Sequence, residues 1–487
     1  MLRMKRGRTI AGALVSFCAL CGAGTLYAQQ PPPGGAAPTQ PAPVPSQPPR
    51  PGQPPAPGPA QPPQPGPAQP PVPGLPTPPS PTKEPEPEPT PPPETVTEPQ
   101  RRVPEDLLRS PAPTTLPPRV FVGPDLFNPP PPQGWLTLTP SFTLSGEYND
   151  NIFLSSRDRR SDGIIGFTPG LTLSIQRPAY RLLAGYTVSG EVYLRENELS
   201  DFGKTQRFFG DFFYQVSPRV TFSLSDEFMF SRDSNALTSS GASVGRQDAW
   251  RNTLTPSLRW DVTANTGLNF QVSHSILRFD SSELDSDTYR ATVGVDHRLT
   301  QRLMGMLDMN VGYIDVQGES AAWTYTPTIG FRYDITRRLR GFITGGPSIV
   351  ERGGDTEISP AIAAGLTQTF RFGTVQLGYD RAITAETVGI SDRQAIFGSV
   401  GVSTLLRGLQ LYFTPRYSIV DTDVAGGSGD EIKTLTLNLG ATYQIARNIN
   451  LIASYTFFNE TSDGNRGDID QNRVFLGVQY AFPINFY

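Results

Sequence analysis

Trp135-Leu-Thr-Leu-Thr-Pro-Ser-Phe-Thr-Leu-Ser145 decides the fold. Leu136, Leu138, Pro140, Phe142 and Leu144 alternate with Thr137, Thr139, Ser141, Thr143 and Ser145. Successive strand side chains point to opposite faces, so the run has one apolar and one hydroxyl face. The pattern recurs. Ile165, Phe167, Pro169, Leu171, Leu173 and Ile175 oppose Gly166, Thr168, Gly170, Thr172 and Ser174. Trp323, Tyr325, Pro327, Ile329, Phe331, Tyr333 and Ile335 oppose Thr324, Thr326, Thr328, Gly330, Arg332 and Asp334. These runs last about 12–14 residues, against ~5–6 for a typical soluble strand, long enough to cross a bilayer at a tilt. Trp135, Tyr148, Trp250, Trp260, Trp323 and Tyr333 lie towards run ends, where interfacial girdles belong.

Connections alternate in length. Short turns fall at Arg177-Pro178, Ser217–Arg219, Thr263–Gly267, Thr300–Arg302, Thr336–Arg338, Phe372-Gly373, Arg407-Gly408 and Ala446–Asn448. Longer polar loops include Asn149–Asp162, Arg232–Gln247, Thr422–Glu431 and Thr461–Gln471. Short periplasmic turns and long outer loops are the barrel arrangement. Residues 133–487 are therefore expected to form an all-β, closed antiparallel transmembrane β-barrel of about 18 strands, with 16 as the alternative. Closure is required because an open sheet edge in lipid strands backbone donors and acceptors. An even count puts both ends of the barrel on the periplasmic side.

The upstream chain is of other kinds. Residues 1–28 carry Arg3, Lys5, Arg6 and Arg8, an apolar run, and a small Ala28 before Gln29, the order of a secretory signal peptide. Of the chain's 52 prolines, 42 lie in residues 29–132. Proline fixes φ and lacks a donor, so this segment is expected to be a disordered, extended periplasmic arm. Its first 75 residues could reach roughly 230 Å at ~3.1 Å each. Arg119–Asn128 is expected to be a lead-in that touches the barrel. The arm's expected roles are to engage peptidoglycan or a periplasmic partner, or to serve as a passive spacer.

Eight prolines interrupt the alternating runs: Pro140, Pro169, Pro256, Pro327, Pro347, Pro360, Pro415 and Pro483. All are assigned to the lipid face, five follow threonine, and each should mark a bend, bulge or weakened pairing. The last run places Val474, Leu476, Val478, Tyr480, Phe482, Ile484 and Phe486 on one face, with Tyr487 overhanging.

Composition excludes several chemistries. The only cysteines, Cys18 and Cys21, lie in the signal segment, which removes disulfides and thiolate sites from the mature chain. Two histidines, His274 and His297, are too few for a multi-histidine metal site, and both fall on apolar parity. No Gly-x-Ser-x-Gly elbow accompanies them, so the chain is expected to be no enzyme and to need no cofactor. A net charge of −4 carries no nucleic-acid footprint.

Pro140-Ser-Phe-Thr-Leu-Ser-Gly-Glu-Tyr-Asn-Asp-Asn-Ile-Phe153, followed by Phe167-Thr-Pro-Gly-Leu171, resembles the outer-membrane β-barrel porins associated with exopolysaccharide biosynthesis loci in proteobacteria. The resemblance covers about 133–487. It implies a barrel of 16–18 strands, a role in polysaccharide export and polysaccharide-export proteins as partners. It supplies no site residues. The C-terminal run, with Tyr480, Phe482, Ile484 and Phe486, resembles the signal read by the barrel-assembly machinery of Gram-negative outer membranes. Asn149-Asp150-Asn151 is expected to supply turn chemistry, with a calcium or sugar contact as the alternative.

Candidate lumen-lining charges on the polar parity are Arg181, Glu191, Arg207, Asp211, Glu227, Arg259, Arg290, Arg332 and Arg416. Asp380 and Arg371 share that parity. From Gln133 onward 29 arginines stand against two lysines, and 37 acids against 31 bases. Arginine's rigid fork suits carboxylates and sugar hydroxyls. The near balance favours cross-strand bracing over strong anion selectivity. The expected function is passage of a hydrophilic solute or polymer. A general small-solute porin and a plugged structural barrel are the rivals.

Overall fold

The computed structural model describes residues 134–487, except 234–236, 238–241, 244, 281–284, 387–388, 404–405, 423–429 and 464–466. The signal segment, the proline-rich arm and its lead-in lie outside the described residues. Nineteen strands follow in order: β1 (Leu136–Asn149), β2 (Asp162–Gln176), β3 (Tyr180–Tyr193), β4 (Asp201–Ser217), β5 (Val220–Asp233), β6 (Arg246–Asp261), β7 (Thr266–Phe279), β8 (Ser286–Arg298), β9 (Leu303–Val316), β10 (Ala322–Asp334), β11 (Leu339–Arg352), β12 (Asp355–Thr369), β13 (Gly373–Glu386), β14 (Gly389–Val402), β15 (Leu409–Asp421), β16 (Glu431–Ala446), β17 (Ile449–Ser462), β18 (Ile469–Ala481) and β19 (Ile484–Phe486). Each pairs antiparallel with its neighbours, and β1 pairs with both β2 and β18, which closes the sheet.

β18 and β19 are one spanning strand. Ser141 faces Ala481 and Leu138 faces Ile484, so both pieces keep the same register against β1. Pro483 sits in the break. It lies between outward-facing Phe482 and Ile484, each at least 38% exposed, so it belongs to the inner parity and not to the lipid face. The wall therefore has 18 strands.

Burial is inverted relative to a soluble protein. Leu144 is 55% exposed, whereas neighbouring Thr143 is 2% exposed. An apolar exterior exposed around the whole wall is the lipid-facing band of a membrane barrel. His274, Tyr289, Tyr313, Trp323 and Tyr325 form a ring-to-ring chain across β7–β10, with centroid separations of 4.2–6.4 Å. At the opposite rim the Arg177 guanidinium lies 4.1 Å from the Trp135 ring. Amphipathic rings suit both interfaces.

The prolines open the ladder without moving it. On one side of each strand, pairing stops opposite Pro169, Pro256, Pro327 and Pro415, then resumes in the same register. The bulges lie elsewhere, at Ser189/Gly190, Gln215/Ser217, Ser231/Asp233 and Gln444/Ala446. Proline offers no ladder donor, so the gap follows directly. Threonine compensates on the inner face. Thr168 bonds Ser189 at 2.9 Å across the Pro169 gap, and Thr326 bonds Ser348 at 3.0 Å across the Pro327 gap. Close approach also demands glycine there: a Cβ on Gly346 would lie 1.9 Å from the Pro327 carbonyl oxygen.

Candidate functional site: the barrel lumen

The inner wall is built from hydroxyl rows and ion pairs. Thr292 donates to Asn310 at 2.5 Å and Thr456 to Asn438 at 2.9 Å, while Ser418 and Thr434 share a 2.6 Å bond. Most candidate charges brace this wall. Arg207 pairs with Glu227 at 3.1 Å. Arg259 bridges Asp261 and Asp296 at 3.1 and 3.0 Å. Glu191 accepts from Tyr193 and Thr205, both at 2.9 Å, and Asp211 accepts from Ser225 at 2.8 Å. Arg416 is buried on β15. At the barrel's closure, Arg473 on β18 makes a two-pronged contact with Glu147 on β1, at 2.9 and 3.1 Å.

Three candidate arginines form no ion pair among the described residues. Arg181 lies 4.6 Å from the Phe213 ring centroid. Arg332 points its nitrogens at the Met304 and Met306 sulfurs, at 3.8 and 3.6 Å. Arg290 lines a cleft described below. Arg371 does not line the lumen; it is exposed in the turn between β12 and β13.

The described residues of the β5–β6 connection are held at two separate walls of the bore. Leu237 packs on Ala249, Leu277 and Phe279, at the β6–β7 wall. Ala242 packs on Val420 and Ile432, and the Ser243 amide donates to Glu460 at 2.7 Å, at the β15–β17 wall. Those walls lie about half the barrel's circumference apart in strand order. Arg246 then ties the segment's return to the Ile152 carbonyl at 3.1 Å. The polarity of Arg232–Gln247 predicts an outer loop; its apolar Leu237 and Ala242 instead bury inside.

Residues 150–161 also turn inward. Asn149 Oδ1 accepts from the Asn151 amide at 3.0 Å, and fully buried Asn151 bonds Ser155 and the Asp470 carbonyl. Asp150 holds Arg159 at 2.6 Å and the Asn472 amide at 2.7 Å. These contacts are turn and anchoring chemistry. Arg160, exposed in this loop, has its pKa raised by bonds to Asp158 and Glu196.

A third inward element went unseen in the sequence. β12 and β13 pair only from Ile362–Arg381 down to Thr369–Thr374. Above that point β11–β12 and β13–β14 remain fully zipped, but the seam between them is open. The β13–β14 ribbon lies against the inner face of β9–β11, where Ile383 and Ile390 join Ile314, Val316, Ala322 and Val350. Its inner face carries Arg393, 1% exposed and joined to Asp380. One signal was available. Arg381 and Asp392 fall on lipid parity and pair at 2.7 Å, which no lipid-facing strand centre favours.

The histidines sit outside this machinery. His274 stacks on Tyr289 at 4.2 Å, and His297 Nδ1 lies 2.9 Å from the Thr266 hydroxyl.

A closed 18-strand antiparallel wall with an apolar belt and a polar lining defines a transmembrane β-barrel of the outer-membrane type. No family model matches the chain, and no curated protein matches it. Among solved structures it is similar to Pseudomonas aeruginosa OpdO, at 14% identity and TM-score 0.41, over 72% of this chain and 97% of that one. It is similar to P. aeruginosa OpdK with vanillate, at 14% identity and TM-score 0.40, over 71% and 99%. Acinetobacter baumannii OccAB4 aligns at 12% identity and TM-score 0.40, over 73% and 100%. Likeness at this level carries nothing about substrate.

Proposed function

We propose that the chain is a conduit for small hydrophilic solutes, sorted by width and lining charge where Leu237 and Ala242–Ser243 are held at two walls of the bore. The observation that supports this reading is the anchoring of one connection to two distant walls, at Leu237 and at Ala242–Ser243. A segment held at both ends narrows the path, which suits solutes better than the polymer implied by the sequence resemblance. The braced ion pairs leave little net field, so weak charge preference is expected, centred on Arg181 and Arg332. Such passage needs no cofactor. In this reading the proline-rich arm lies in the periplasm as a tether or spacer, and Tyr480, Phe482, Ile484 and Phe486 present the assembly signal on the outer face.

Vesicle swelling with sugars of increasing size tests it. Mono- and disaccharides should enter, acidic polysaccharide should not, and deletion of residues 236–243 should raise the size limit. Polymer entering the unaltered protein as fast as a monosaccharide would restore the export reading.

A further inference from the structure

The open seam and the cleft behind it carry an inference independent of solute passage. Above Ile362 and Arg381 no described strand pairs with the upper edge of β12. That edge shows the marks of a managed one, with Pro360, Asp355 and Glu357 along it. Behind it lies a narrow cleft that opens to solvent, with room for a headgroup and not for a whole ligand. Its floor is hydroxyl-rich, with Thr324, Thr326, Thr328, Thr344 and Ser348. Apolar Ala361, Ile362 and Ile383 line it as well, and of these Ile362 is the exposed one.

Two features say what would fill it. Arg290 lines the cleft, and no described residue accepts a hydrogen bond from it. Arg393 nearby is already joined to Asp380. The neighbouring Arg381 is already engaged by Asp392 at 2.7 Å. Arg290 has no protein acceptor among the described residues, and a carboxylate would supply one in charge-assisted form. The cleft also reaches lipid, because Ile362 lines it while remaining 37% exposed on the outer face.

We propose that the β12–β13 seam is a lateral port, and that its cleft binds the carboxylate of a single-chain amphiphile at Arg290 while the chain leaves past Ile362 into the bilayer. Hydroxyl rows would solvate the head, and Ile362 would pass the tail. No covalent step is involved.

The mature chain has no cysteine, which permits single-site labelling. A small fluorophore is attached at Ala361→Cys in the cleft, at Ile358→Cys on the lipid face, and at Thr143→Cys on the inner face of fully paired β1–β2. Each protein, starting at Gln29, is placed in phosphatidylcholine vesicles containing 9,10-dibromostearate. The acid should quench the Ala361 label about half as strongly as the Ile358 label, and spare Thr143, as expected for a cleft that shares its occupant with lipid. Arg290→Gln should weaken quenching at Ala361 about tenfold in apparent affinity and leave Ile358 unchanged. Quenching at Ala361 no greater than at Thr143 would overturn the port. Insensitivity to Arg290→Gln would overturn the headgroup site. Equal quenching by dibrominated phosphatidylcholine would overturn the carboxylate assignment. Ala363→Cys, on the same cleft wall, replaces Ala361→Cys if that variant does not fold. Swelling of the same vesicles by sugars reports the conduit separately.

Discussion

Leu154 adopts φ 51°, a left-handed conformation that costs a side-chain-bearing residue roughly 1–2 kcal/mol. It persists because the side chain is 2% exposed against Phe458 and Ile469. Burying a leucine contributes about 1.5–3 kcal/mol, so packing exceeds strain. Leu154→Gly should therefore loosen residues 150–161 despite relieving the backbone, and faster protease cleavage there would show it. Unchanged cleavage would mean that Asn151's buried bonds hold the loop alone. Arg393 presents a sharper case. Its Nε and Nη1 have no hydrogen-bond partner, and it is joined to Asp380. Removing one partner of a buried pair strands the other, at about 3–5 kcal/mol. Asp380→Asn should lower the thermal unfolding midpoint in detergent clearly more than Asp334→Asn, whose partner Arg340 is exposed. Equal midpoints would contradict the burial argument.

Strand alternation was legible because lipid enforces it. A single misplaced charge would face hydrocarbon, so Leu136–Leu144 and Trp323–Ile335 keep parity without lapse. Proline placement was legible too, except Pro483, where counting from Tyr480 gives the inner face. The ladder gaps explain the threonines. Thr168 and Thr326 supply side-chain bonds where the backbone has none. Pro169→Ala should restore a donor and stabilise the barrel by about 1 kcal/mol, with new amide-exchange protection near residues 168–170. Loss of stability would mean that the bend itself is needed. The closure between β1 and β18 depends on Glu147 and Arg473, and Glu147→Gln should cost about 1.5–3 kcal/mol, read as unfolding at lower denaturant.

At the scale of the molecule, strand count, closure and inner parity followed from the sequence, whereas the inward elements did not. Parity fixes which way a side chain points relative to its own sheet. It does not say whether the sheet's outer face meets lipid, as Arg381 and Asp392 show by pairing behind a ribbon folded into the bore. Likewise, a polar stretch such as 232–247 reads as an outer loop until its few apolar residues find walls to bury against. The partners of the candidate lumen charges are set by cross-strand register. Arg207–Glu227 and Arg259–Asp296 follow from neighbouring strands that no single run reveals.

Single-channel recording in planar bilayers tests the central claim most directly. The mature protein from Gln29 should give steady openings, and deletion of residues 236–243 should raise their conductance several-fold, because channel width sets passage. Silence from a verified folded barrel, both with the proline-rich arm and after its removal up to Gly134, would contradict the conduit.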